Sequence, residues 1–239
     1  MLKSFKLNFH YGITQPKEDG FAIRDVFINA EPGYITCLLG KNAAGKTTLL
    51  SLLYGMLRPK SGNVNWEGKQ VNDKTLAAYH RDVAYFGESW CSQSLTVNKN
   101  VEMLSILYPT FDRKTFDDLI ALAQAEGTLD KRYIELSTGE KAKVEIAFLL
   151  ARKPKLIILD EPLANIDPVF KIDILELLQK GVADNGTGVL ISTHLIDEIS
   201  EMVDYIYVLD NGRITKHGTR FELLGDGDGN LRDVLDVKC

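Results

Sequence analysis

Apolar residues in this chain fall mostly into short runs set between polar or glycine-bearing stretches. Residues 34–39 (Tyr-Ile-Thr-Cys-Leu-Leu), 83–86 (Val-Ala-Tyr-Phe), 155–160 (Lys-Leu-Ile-Ile-Leu-Asp), 188–192 (Gly-Val-Leu-Ile-Ser) and 205–209 (Tyr-Ile-Tyr-Val-Leu) are such runs. Short and largely without alternation, they predict strands buried on both faces, as in a parallel sheet. Residues 1–10 behave differently: Phe5, Leu7 and Phe9 alternate with Lys6 and Asn8, which predicts a strand and not a signal peptide. Residues 21–28 and 63–66 are further strand candidates, and Asp210-Asn211-Gly212 predicts a turn into residues 213–215. From 98 to 153 the spacing becomes helical, with Val101, Leu104 and Leu107 on one stripe and Leu119, Leu122 and Ala123 on another, punctuated by Pro109 and Gly127. A further helix is predicted from Pro168, a favourable first-turn residue, towards Lys180. Strands alternating with helices predict an α/β fold: a mostly parallel sheet covered on both faces. Residues 1–88 and 153–225 would form its core, 89–152 a helical insertion, and 226–239 a flexible tail.

Composition narrows the picture. With 239 residues, 45% of them hydrophobic, the chain can bury a sizeable core. A net charge of −5 without any long basic block argues against a general nucleic-acid binder. Cys37, Cys91 and Cys239 lack metal-ligand spacing and fit a reducing compartment. No targeting segment stands out, and no stretch approaches the roughly 18 consecutive apolar residues of a membrane span. A role at a membrane would therefore come through a partner.

Three constellations carry chemistry. Residues 40–47, Gly-Lys-Asn-Ala-Ala-Gly-Lys-Thr, fit the phosphate-loop pattern G-x-x-x-x-G-K-[ST] and lie between a predicted buried strand and a predicted helix. In that context backbone N–H groups wrap phosphates at a helix N-terminus, where the macrodipole favours anions. Lys46 would reach the β- and γ-phosphates, and the Thr47 hydroxyl would ligate Mg²⁺. A strand ending in Asp160 followed by Glu161 would supply the second Mg²⁺ ligand, Asp160, and a carboxylate, Glu161, to polarise an attacking water. Ser137-Thr138-Gly139-Glu140 reads as a capping box for the helix that follows, and equally as an accessible helix N-terminus able to meet a phosphate; the two can hold together.

The ordered set of GKNAAGKTT, LSTGEK, LIILDEP and a late Ser-Thr-His resembles an ATP-binding-cassette (ABC) nucleotide-binding domain over nearly the whole chain, from Tyr11 to about Leu224. The resemblance implies a P-loop NTPase fold of the ABC ATPase type, in which an antiparallel β subdomain and an α-helical subdomain flank the core. It implies ATP and Mg²⁺ as ligands and hydrolysis of ATP to ADP and phosphate. Residue by residue it assigns adenine stacking to Tyr11, phosphate binding to Gly40, Lys41, Asn42, Ala43, Ala44, Gly45, Lys46, Thr47 and Thr48, and the signature that covers the opposite subunit's ATP to 136–140, including Ser137, Thr138 and Gly139. It assigns metal binding to Asp160, general-base chemistry to Glu161, the crossing of the dimer interface to residues 164–167 and the γ-phosphate switch to His194. Tyr11 can also be read as a core aromatic, and Asp167 as a helix N-cap.

Departures from the family pattern occur at Ala43, where glycine is usual, at Thr138, in place of the first signature glycine, and at Glu88, where glutamine is usual. A methyl group is tolerable at 43 provided its φ is negative. Glu88 can bind Mg²⁺ or water, or be a plain loop acid. The function implied is the energising subunit of a membrane exporter, working as a head-to-tail dimer, a homodimer before a heterodimer. A separately encoded integral-membrane permease would be met by residues 88–95, placing the chain at the cytoplasmic face of the membrane. The alternative is a soluble ABC ATPase without a transport role, as in iron–sulfur cluster assembly.

Overall fold

The computed structural model describes residues 1–12, 21–87, 91–164, 166–194 and 199–224. In chain order the elements are β1 (Leu2–Phe9), β2 (Ile23–Val26), β3 (Asn29–Ala30), β4 (Ile35–Leu39), α1 (Lys46–Tyr54), β5 (Ser61–Trp66), β6 (Lys69–Gln70), α2 (Leu76–Asp82), β7 (Val83–Phe86), α3 (Val97–Ser105), α4 (Arg113–Leu122), α5 (Thr138–Ala151), β8 (Leu156–Asp160), α6 (Pro168–Asn185), β9 (Gly188–Thr193), β10 (Tyr205–Asp210), β11 (Arg213–Thr219) and α7 (Arg220–Leu224). The main sheet runs β11-β10-β4-β9-β8-β7, parallel throughout except for the β10–β11 hairpin. A second, antiparallel sheet joins β2, β1, β5 and β6, with β3 also on β1.

The apolar runs form these strands because both faces of the main sheet are covered. Cys37, Leu39, Ile157 and Leu159 pack towards α5 and α6, whereas Leu38, Ile158 and Leu190 pack towards α1 and the antiparallel sheet. Strand alternation thus feeds two cores from one sheet. Burial pushes the thiols of Cys37 and Cys91 well above the ordinary range, so both are packing residues without nucleophilic character.

Local expectations needed correction. In β1 the inward set is Leu2, Ser4, Leu7 and Phe9, while Phe5 is exposed and lies edge-on against Phe27. Lys6 adopts φ 47°, and pairing with β5 slips between Phe5 and Asn8; this bulge resets the alternation. The strand predicted over 21–28 forms only at Ile23–Val26. Leu107 lies beyond the end of α3 and is exposed. α6 extends past Lys180 to Asn185 and stops at Gly186 in the left-handed region. The predicted tail lies outside the described residues.

Candidate functional site

Parallel register brings the carboxyl ends of β4, β9 and β8 side by side: Leu39 pairs with Thr193 and Asp160 with Ser192. Ligands of open α/β sheets bind at this edge. Directly beyond it stand the phosphate loop, His194 and Glu161. The loop closes onto α1 through Gly45, whose φ of 107° is open to glycine and costly for other residues. α1 has neither a capping side chain nor an acid in its first turn, whereas α3, α4, α5 and α6 are capped by Thr96, Asp112, Ser137 and Asp167. Its first-turn N–H groups are therefore left for an external anion.

Lys46 is 5% exposed. Its Nζ donates to the carbonyls of Gly40 (2.8 Å) and Lys41 (3.2 Å) and forms an ion pair with Glu161 Oε1 at 2.9 Å. The other Glu161 oxygen, Oε2, lies 3.0 Å from His194 Nδ1. Burial pushes the Glu161 carboxyl up, but hydrogen bonding and the charge of Lys46, with His194 adding to both, outweigh it and hold the carboxyl below the usual carboxylate range. Asp160 Oδ1 accepts from Ser192 Oγ at 2.6 Å, and Ser192 Oγ accepts from the Glu161 N–H at 3.0 Å. Glu161 itself sits at φ 45°, a strained conformation for a non-glycine residue.

An open cleft of about 440 Å³ runs along this group, walled by Tyr11, Asn42, Lys46, Thr47 and Glu161. Tyr11 is 61% exposed at its mouth, which excludes the core-aromatic reading. Its hydroxyl pairs with Thr48 Oγ1 at 3.2 Å, and its ring packs against Phe9 and Phe21. Ala43 also lines the cleft, but its φ is 65°, not negative as tolerance of its methyl group required. The loop holds this residue left-handed, where glycine is unstrained and alanine is not.

The signature residues stand elsewhere. Ser137, Thr138 and Gly139 are absent from the lining of this cleft. The capping box is present in full: Ser137 Oγ accepts from the Glu140 N–H, and the Glu140 carboxylate accepts from the Ser137 N–H. Asp167 caps α6 by accepting from the Val169 N–H at 3.0 Å. Glu88 lies outside the described residues, as does Asn165 of the 164–167 segment.

Sequence reading passed over two groups. Ser192, at 0% exposure, bridges Asp160 and Glu161; a serine ending an apolar strand was the available signal, since a buried hydroxyl needs partners. Glu145, on α5, accepts from the Gly87 N–H at 2.9 Å, tying the helix that starts at the signature to the end of β7.

Comparison with known proteins decides the family: the ABC transporter family model matches residues 23–164. The chain belongs to the ABC transporter ATPase family. The energy-coupling factor transporter ATP-binding protein EcfA2 of Ligilactobacillus salivarius is 30% identical over 240 residues, covering 94% of this chain and 81% of that protein. The molybdenum import ATP-binding protein ModC of Paramagnetospirillum magneticum is 31% identical over 208 residues, covering 84% of this chain and 57% of that protein. Among solved structures, cbiO1 of Clostridium perfringens, described as part of the ABC transporter complex cbiONQ, superposes with a TM-score of 0.77 at 28% identity, covering 94% of this chain and 90% of that one. The chain is thus an ATP-binding subunit of the ABC type, with the P-loop ABC fold and with ATP and Mg²⁺ as its ligands. Exporter direction finds no support in these relatives, which bear import and energy-coupling names.

The donor set suits Mg²⁺. Among the described residues no group of three or more His, Cys, Asp and Glu side chains forms a metal cage. This ion commonly takes one or two protein oxygens and completes its shell with water and nucleotide phosphates. A Thr47 hydroxyl at the cleft and a single strand-end carboxylate, Asp160, match that habit.

Proposed function

We propose that this ABC ATPase hydrolyses ATP in the cleft above β4 and α1 and passes the resulting conformational change to a separate membrane subunit. The observation that carries the reading is the Lys46–Glu161–His194 cluster at the mouth of an uncapped helix: a cation for phosphate, a carboxylate for water, and a histidine fixing that carboxylate.

In this reading phosphates enter over the first-turn N–H groups of α1, with Gly40, Lys41, Asn42, Ala43, Ala44, Gly45, Thr47 and Thr48 lining the loop. Lys46 exchanges the Glu161 carboxylate for β- and γ-oxygens. Glu161, released from Lys46, accepts a proton from the attacking water, and its position is held by His194 and by the Ser192 hydroxyl. Tyr11 offers its exposed ring to the base. Thr47 and Asp160 would hold Mg²⁺, which supplies positive charge against the phosphate oxygens. Ser192 keeps Asp160 aimed. Ser137, Thr138 and Gly139, being away from their own cleft, complete the cleft of a second copy. Closure of that dimer depends on the γ-phosphate and reverses after hydrolysis. Residues 89–152 act as the helical arm carrying the signature, and residues 88–95 as the contact to the membrane subunit.

Among the described residues no helix is long and apolar enough to cross a membrane. The location proposed is the cytoplasmic face of the membrane, reached through the partner; cbiO1, a structural neighbour, is itself part of an ABC transporter complex. Import is the favoured direction, on the names of the relatives. The test is purification of the full chain from membranes. Co-elution of a polytopic protein that alters its ATPase rate is expected; elution with only soluble partners would favour the alternative without transport.

A further inference from the structure

Among the described residues, one buried ion pair has no part in the proposed reaction. Lys143, on α5, is 3% exposed and Asp173, on α6, is 9% exposed. Lys143 Nζ meets Asp173 Oδ2 at 2.5 Å, donates to the Ala123 carbonyl at the end of α4 at 2.8 Å, and lies 4.1 Å from the centre of the Phe170 ring. One ammonium thus joins three helices through a carboxylate, a helix C-terminal carbonyl and an aromatic face.

One turn earlier the same two helices touch again. A Cβ at Gly139 would fall onto the Phe170 ring, so the glycine is required by space. Gly139 and Phe170 lie in the first turns of α5 and α6, and Lys143 and Asp173 in their second turns. The two N-termini, capped by Ser137 and Asp167, are therefore clamped side by side. A buried pair of this kind is seldom a gain in stability over apolar side chains of similar volume, so its retention asks for a geometric reason.

We propose that Lys143 and Asp173, with Phe170 wedged under Gly139, are positioning residues that fix the signature helix to the helix after residues 164–167, so that both present one rigid face to a partner copy. The inference rests on the reading that Ser137 to Gly139 act in a second subunit's site. Lys143 and Asp173 are absent from the lining of the nucleotide cleft; they set the angle and register of α5 against α6.

The experiment measures three properties of Lys143→Met, Asp173→Asn and the double variant Lys143→Met/Asp173→Leu: MgATP affinity of the monomer, turnover, and ATP-driven association on a Glu161→Gln background. The double variant is included because apolar replacement of both charges keeps the interior free of an unpaired one and so preserves folding. Expected are monomer affinities within about twofold of the parent and turnover and association lowered by about tenfold or more in all three, with Lys143→Arg recovering most of the loss. A double variant that is folded and turns over within about twofold of the parent would overturn the positioning role, reducing the pair to a packing device. If the Glu161→Gln parent does not associate with MgATP at all, the two-subunit reading fails and the inference falls with it.

Discussion

Ala43→Gly isolates a strain that the structure places inside the phosphate loop. Ala43 holds φ 65° and is exposed, so losing its methyl group removes left-handed strain without emptying any core space. Left-handed geometry costs an L-residue about 1–2 kcal/mol. Glycine returns about 0.5–1 kcal/mol of that by making the unfolded chain more flexible. The balance is a stabilisation of about 0.5–1 kcal/mol, or about 1–4 °C in Tm for a chain of this size. Ala43→Val should move the other way by about 1 kcal/mol or more, because a β-branched residue tolerates this region least. Calorimetry or urea unfolding of the three proteins gives the order directly: Gly above Ala above Val. A glycine variant no more stable than the parent, or a valine variant equal to it, would refute the assignment of strain to residue 43.

Other predictions follow from the same geometry. Gly139→Ala should collide with Phe170 and lose about 1–3 kcal/mol of stability, and Phe170→Ala in the same chain should return part of it, with a coupling of about 0.5–3 kcal/mol by equilibrium unfolding; additive effects would remove the packing explanation. Ser192→Ala should lower turnover by about tenfold or more while leaving phosphate-loop binding of ATP within about threefold, since it frees Asp160 and Glu161 without touching Lys46; unchanged turnover would deny it a role. The Glu161 carboxyl is held below its ordinary pKa, so its contribution to stability is full above that ordinary value and is lost as pH falls through the lowered one. The stability gap between the parent and Glu161→Gln should therefore be flat above about pH 5 and shrink below it, and a gap that widens on acidification would contradict the Lys46 pairing.

Much of this was legible in sequence. The apolar run before Gly40 reports a strand buried on both faces, and Gly-Lys-Thr after it places a cation and a hydroxyl at a helix start, because both signals are local. Ser137 and Glu140 announced their capping box for the same reason. What escaped depends on contacts between distant segments. Lys6 reverses the alternation of β1 only through its pairing with β5. The left-handed state of Ala43 belongs to the closed loop between β4 and α1, so the condition of a negative φ, under which its methyl group is tolerable, is not met. Phe170 gives Gly139 a packing reason that no spacing shows, and Ser192 acquires its role only when β9 lies beside β8. Transport direction is not legible for a different reason: a nucleotide cleft presents the same Lys46, Glu161 and His194 whichever way cargo moves.

The two-subunit site is the centre of the account, and Glu161→Gln tests it most directly. With the proposed general base removed and ATP still bound, the variant should sediment as a dimer in MgATP, revert to monomer in ADP, and show no measurable turnover. A variant that stays monomeric at saturating MgATP, or that hydrolyses ATP at the parent rate, would contradict the account.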